Sequence, residues 1–220
     1  MLNDELCSLD TNAAAGVVAR RFPVIQRDIP QIEFLAATLS RAFYNEPQFK
    51  YILPDEEMRR THLPWLFGYI ARSSRLFGEI YTKEDIDGGA VWFGRGDTFT
   101  LERLVRTDIL TTPFKWEWSS LRRCINLCAR LKSVRDRLAK GPHLYLVVLG
   151  LKPGQLEGAG ASALFRHLMS RADSNGLPCF LETFRERDLP FYKDFGFRVE
   201  GAGRIPAGGP SFWAMMRPPQ

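Results

Sequence analysis

The chain is poor in the residues that bind metals. It holds three histidines, His62, His143 and His167, scattered along 220 residues, and four cysteines, Cys7, Cys124, Cys128 and Cys179. No Cys-x-x-Cys pair occurs. Cys124 and Cys128 share a helix face at four-residue spacing, but a two-thiol metal site there needs further ligands, so reduced thiols and no metal are expected. Reduced thiols belong to a reducing compartment, and a cytoplasmic protein is expected. No run of about 18 uncharged apolar residues is present, which excludes a membrane-spanning helix. The N-terminus lacks the charged-then-apolar order of a secretory signal, and Asp4, Glu5 and Asp10 do not suit an Arg-rich, acid-poor presequence. Five consecutive basic residues occur nowhere. The formal charge of +5 therefore does not gather into a nucleic-acid arm. Spread out, it equally suits a small polyanionic ligand. Neither a nucleic-acid nor a membrane partner is expected. Repeats and low-complexity segments are also absent.

What is there describes one folded unit. Apolar residues make up 45% of the chain, enough for a sizeable core at this length. Residues 1–20, rich in Asn, Asp, Ala and Ser, read as a loosely ordered leader, and 21–220 as a single domain. A first strand is expected over 22–27. Asp28 is a candidate cap for a helix in which Ile29, Ile32, Leu35, Leu39 and Phe43 recur at helical spacing, ended by Asn45-Glu46-Pro47. A second helix follows Pro54-Asp55 and runs toward Leu76. Short strands over 79–82 and 89–93 flank the turn residues Asp87-Gly88-Gly89. Residues 98–139 are helical in pattern, broken near Pro113, with Trp116, Trp118, Leu121, Ile125, Leu127 and Leu131 set to cover a sheet. Strand, helix, strand, short helix and a closing strand pair complete the chain. The class is α/β, a mixed sheet flanked by helices.

The chemistry concentrates between Pro142 and Phe197. His143 to Leu151 is a continuous apolar run, hence a central strand covered on both faces. Simple alternation puts Tyr145, Val147, Leu149 and Leu151 on one face and Leu144, Leu146, Val148 and Gly150 on the other. If this strand splays from its neighbour, its free N–H groups can polarise a carbonyl. Small residues at 157–161 precede a helix, where backbone N–H groups attract phosphate. Alone, that turn serves tight helix–sheet packing equally well. Leu189-Pro190-Phe191-Tyr192 places a phenol near the sheet edge, either as a proton donor or as one more packed aromatic. Glu182, inside the apolar strand CFLET, is either an inward acid or a strand-end ion-pair partner.

These residues, in this order, resemble the GNAT superfamily of N-acetyltransferases. Within it they resemble the puromycin N-acetyltransferase-like branch, through Ala42-Phe43 with Pro47, Leu53-Pro54-Asp55, GLPCFLET, LPFY and the ending IPAGGPSFWAMMRPP. The similarity spans about residues 22–219 and is most specific in the C-terminal third. It implies a GNAT fold, with a mostly antiparallel sheet splayed at the strand before the cofactor loop. It also implies acetyl-CoA as cosubstrate and a small-molecule primary amine as acceptor, which attacks the thioester directly. The backbone amides of Leu149 and Leu151 would hold the acetyl carbonyl and pantetheine arm. Leu156, Glu157, Gly158, Ala159, Gly160 and Ala161 would cradle the pyrophosphate, with Asp188 at the position of an Asn before the PFY turn. Tyr192 would be the general acid.

The loop departs from the family pattern Gln/Arg-x-x-Gly-x-Gly/Ala. Leucine stands at 156, a carboxylate at 157 and alanine at 159. A shifted register using Gln155, Gly158 and Gly160 needs a compensating deletion and insertion. Glu157 beside a diphosphate costs on the order of 1 kcal/mol or less after screening, so weakened binding is expected rather than none. Tyr145 stands where many relatives carry a catalytic Glu, which leaves Glu182, water or the substrate's own pKa to remove the amine proton. The altered loop also keeps open a second function, a GNAT-fold binding or regulatory protein impaired in acyl transfer.

Overall fold

The structure, a computed structural model, describes residues 20–22, 29–82, 88–93, 116–151 and 159–220. The leader, the cap at Asp28 and the loop residues Leu156, Glu157 and Gly158 lie outside the described residues, as does the region 94–115. Seven strands are described: β1 (Arg20–Phe22), β2 (Gly78–Thr82), β3 (Gly88–Phe93), β4 (Leu144–Leu151), β5 (Cys179–Thr183), β6 (Arg198–Arg204) and β7 (Ser211–Arg217). They form one sheet in the order β1-β2-β3-β4-β5-β7-β6. Every neighbouring pair is antiparallel except β4–β5. That pair joins an N-terminal meander to a C-terminal one. A parallel step needs a crossover, and the helix Ala159–Ser174 supplies it.

Six helices pack around the sheet: α1 (Ile29–Phe43), α2 (Pro47–Ile52), α3 (Glu56–Phe77), α4 (Trp118–Leu138), α5 (Ala159–Ser174) and α6 (Leu189–Asp194). Asp55 caps α3, its carboxylate accepting from the Met58 N–H at 2.8 Å. The short α2 was not expected. Pro47 does end α1, but as the first residue of a new helix, where its missing N–H removes nothing that the helix uses.

The core has two layers. On one face Leu35, Leu39, Leu63, Phe67, Leu127, Leu131 and Val134 of α1, α3 and α4 meet Tyr145, Val148, Phe180 and Ala214. On the other, Phe165, Leu168, Met169 and Tyr192 of α5 and α6 meet Leu146, Leu149, Leu181 and Met215. Helix α4 covers the sheet with part of its expected stripe. Leu127 and Leu131 are buried, but Trp118 is 77% and Ile125 41% exposed. The stripe runs instead through Ser120, Leu127, Leu131, Val134 and Arg135, one step round the helix.

Simple alternation fails along β4. Val91 and Trp92 of β3 face Val148 and Leu146, so Val147 is an extra residue without a partner. Such a bulge shifts the pleat by one. Val148 accordingly joins Tyr145 on the first face and Leu149 joins Leu146 on the second. Beyond the bulge lies Gly150. A Cβ there would stand 2.4 Å from Phe43 and 2.6 Å from Leu39, so the glycine lets α1 lie directly against the strand's C-terminal end. Gly150→Ala is expected to destabilise the fold by about 1–3 kcal/mol through overpacking, seen as a lower urea midpoint with an unchanged m-value.

Candidate active site at the open strand pair

The parallel ladder between β4 and β5 has three rungs, ending at Leu146 with Leu181. Strand β4 continues to Leu151 without pairing to β5, while its other edge remains paired to β3. The backbone groups of its last five residues that face β5 therefore have no ladder partner. Leu149 and Leu151 lie on this free stretch, with the Leu149 side chain in the second core layer. The free edge leads toward α5, whose first turn contains Ala159, Gly160 and Ala161. A strand edge of free N–H groups that points to a helix N-terminus suits an acyl amide chain that ends in phosphates.

Tyr192 reaches this region from α6. Its ring is buried in an aromatic cluster centred on Phe165, with Phe191 at 5.3 Å and Phe197 at 6.1 Å. Burial, with Asp188 and Glu46 close enough to repel a phenolate, holds the hydroxyl well above the usual phenol range. Asp188 precedes α6 but makes no capping hydrogen bond with its side chain.

Glu46 is the residue that sequence reasoning passed over. It sits in the turn between α1 and α2, where its N–H donates to Phe43 O and its carbonyl accepts from the N–H groups of Phe49 and Lys50. The side chain is buried, and its Oε1 meets Arg185 Nη2 at 2.5 Å. Burial pushes its carboxyl up to about 7, against the pull of Arg185; Asp188 raises it further and Arg187 lowers it. Glu46, Arg185, Asp188 and Tyr192 thus form one electrostatic group. A Glu before Pro at a helix start is ordinarily a solvated residue, and no local signal marks this one. Its burial comes from Arg185, far away in the chain.

Glu182 falls in a different cluster. Its carboxylate accepts from the Tyr145 hydroxyl and feels the Arg135 guanidinium, and burial raises it to about 7. Tyr192 and Glu182 are therefore not brought together: the charges acting on Tyr192 are Asp188 and Glu46, those on Glu182 belong to α4 and β4. Among the described residues no group of three or more His, Cys, Asp or Glu could hold a metal ion, and no helix is long and apolar enough to cross a membrane.

No protein-family model matches the chain. It is 25% identical over 171 residues to an uncharacterised N-acetyltransferase of Schizosaccharomyces pombe, covering 74% of this chain and 68% of the relative. The crystal structure of a histone acetyltransferase HPA2 and related acetyltransferase from Corynebacterium glutamicum superposes with a TM-score of 0.60 at 24% identity, over 92% of this chain and 97% of that one. The Drosophila melanogaster polyamine N-acetyltransferase, which forms N-acetylagmatine, superposes with a TM-score of 0.55 at 15% identity, over 92% and 99%. The chain has the α/β GNAT acetyltransferase fold. The relative and the structural neighbours together support an acyl-CoA-dependent N-acetyltransferase of the GNAT superfamily.

The Arg185 contact makes a direct prediction. Removing the cation withdraws the largest influence that favours ionised Glu46. In Arg185→Gln the Glu46 carboxyl is expected to titrate above 7, in a ¹³C carboxyl NMR titration compared with wild type. A value unchanged or lowered would mean that the ion pair does not exist in solution.

Proposed function

We propose that the protein transfers an acetyl group from acetyl-CoA to a primary amine of a small molecule. The open edge of β4 carries this reading: a strand freed from its parallel neighbour beside a helix N-terminus, with a buried carboxylate and a buried phenol grouped next to it. When bound, acetyl-CoA would supply the activated acyl group, with the free N–H groups near Leu149 and Leu151 holding its carbonyl and pantetheine arm. Ala159, Gly160 and Ala161 would offer backbone N–H groups to the pyrophosphate, together with Leu156, Glu157 and Gly158. Asp188 would act through its charge on Tyr192 and Glu46.

Glu46 has the features of a general base. A carboxylate titrating near 7 is ionised in part at neutral pH and basic enough to accept a proton from an ammonium. The amine nitrogen attacks the thioester carbon as its proton passes to Glu46. The C–N bond forms, the strand N–H groups hold the oxygen's negative charge, and the C–S bond breaks. Tyr192 gives its proton to the departing sulfur. The raised pKa of Tyr192 makes it a reluctant donor at rest, but one of the two charges that raise it is Glu46 itself. Protonation of Glu46 removes that charge and makes the phenol a better acid at the moment when thiolate develops.

The small-amine acceptor draws support from the polyamine enzyme among the structural neighbours. Assignment to the puromycin N-acetyltransferase-like branch rests on the motifs around Phe43, Leu53 and Tyr192. A cytoplasmic setting rests on the thiols, since Cys124, Cys128 and Cys179 are free.

Calorimetric titration with acetyl-CoA, followed by turnover on a panel of primary amines, tests the reading. Micromolar binding with turnover supports it, and no binding at millimolar acetyl-CoA refutes it. Glu46→Gln is expected to lower kcat by about 10²-fold or more and to abolish the rise of kcat/KM with pH near 7. Tyr192→Phe is expected to lower kcat by about 10²-fold with little change in acetyl-CoA affinity. Turnover near wild type in Glu46→Gln would remove that residue from the mechanism.

A further inference from the structure

A second buried charge cluster lies under the point where β4 and β5 part. Leu146 with Leu181 is the last rung, and the next residues are the bulged Val147 on one strand and Glu182 on the other. Tyr145, one residue before that rung, donates its hydroxyl to the Glu182 carboxylate one residue beyond it. The link therefore runs diagonally across the end of the ladder. From α4, the Arg135 guanidinium lies 4.3 Å from the centre of the Tyr145 ring, itself only 2% exposed. Phe180 packs against the same ring at 5.9 Å. The other titratable group facing this cluster is the Cys128 thiol of α4, which is hydrogen-bonded to Cys124 and feels both Arg135 and Glu182.

Stability does not account for this arrangement. Burying an ion pair is commonly no better than burying apolar side chains of the same size. Here Glu182 Oε1 and Arg135 Nε also lack hydrogen bonds within the protein, a further cost. Groups kept at such a cost are held for what they position.

We propose that Arg135, Tyr145 and Glu182 are positioning residues that stitch the last rung of the β4–β5 ladder and fix the opening beyond it. This rests on the acetyltransferase reading, in which that opening holds the thioester. The stitch acts at a natural weak point. A bulged residue on one strand and a ladder of only three rungs give the backbone little reason to part at one fixed residue. The Tyr145–Glu182 link pins the strands there, and Arg135 keeps Glu182 ionised as acceptor and the Tyr145 ring in place. An acyl carbon misplaced by about 1 Å loses on the order of 10²-fold in rate.

Tyr145→Phe keeps the ring and its contact with Arg135 and removes only the link. Amide hydrogen exchange on the free protein then reads the strand opening without any chemistry. Exchange is expected to quicken at least tenfold at residues 146–148 and 181–183, with α1 and α3 unchanged. Turnover at saturating acetyl-CoA should fall at least tenfold, with KM for the amine altered less than twofold. Arg135→Lys, which keeps the charge, should retain most of the turnover that Arg135→Met loses. The pH limb near 7 should persist in Glu182→Gln, because it belongs to Glu46. Unchanged local exchange in Tyr145→Phe overturns the proposal. So does exchange raised throughout the protein with turnover per folded molecule intact, the mark of a purely structural contact. If wild type neither binds acetyl-CoA nor turns over, the acetyltransferase reading fails, and the exchange result alone still decides the stitch.

Discussion

The separation of β4 from β5 after three rungs is the constraint on which the rest of this structure depends. Two antiparallel meanders share one parallel pair, so the sheet's continuity hangs on the few hydrogen bonds between Leu144–Leu146 and Cys179–Leu181. Past that point β4 is held by β3 and α1 alone. Gly150 lets Phe43 and Leu39 press on the strand from one face, and Leu149 packs into the α5 layer on the other. The chain invests a bulge, a glycine and a packed helix in keeping a strand rigid while one edge stays unpaired. A free edge inside a sheet is a liability unless something pairs with it, and an extended amide-bearing ligand is what such an edge fits.

Much of the fold was legible because it rests on local pattern. The run from His143 to Leu151 could only be a doubly covered strand, and Leu189-Pro190-Phe191-Tyr192 before Gly196 could only be a short helix with a glycine stop. The structure gives Gly196 a φ of +85°. Where reading failed, nonlocal packing had decided the outcome. The pleat reversal at Val147 arises from its mismatch with β3, which no property of Val147 announces. Trp118 and Ile125 looked like core residues by type, yet α4 is rotated to bring Arg135 inward toward Tyr145.

The candidate site was legible only in its aromatic and glycine framework. Tyr192 stood out because LPFY is a local motif, and Glu182 because a carboxylate inside CFLET contradicts its neighbours. Glu46 carried no such mark. Its environment is assembled from the α1–α2 turn, Arg185 after β5 and Asp188 before α6, three segments that only the closed sheet brings together. Electrostatics at a site is a property of the fold, and single-residue inspection finds only the members that violate a local rule.

The two buried carboxylates illustrate how one physical cost serves two ends. Burial lifts both Glu46 and Glu182 to about 7, and an arginine pulls each back. Between about 4.5 and 7 the folded protein holds protons that the unfolded chain has released, so both groups lower stability as pH rises across that window. The difference lies in their partners. Glu182 is fixed by a phenol hydrogen bond and a buried guanidinium, with Arg135 nearly sealed from solvent. Glu46 is held by Arg185, which keeps a quarter of its side-chain surface exposed, and shares its field with the Tyr192 hydroxyl. A carboxylate locked into a hydrogen-bonded aromatic cluster is suited to hold geometry. One beside a half-open arginine and a protonated phenol is suited to exchange a proton and to pass its change of charge to that phenol.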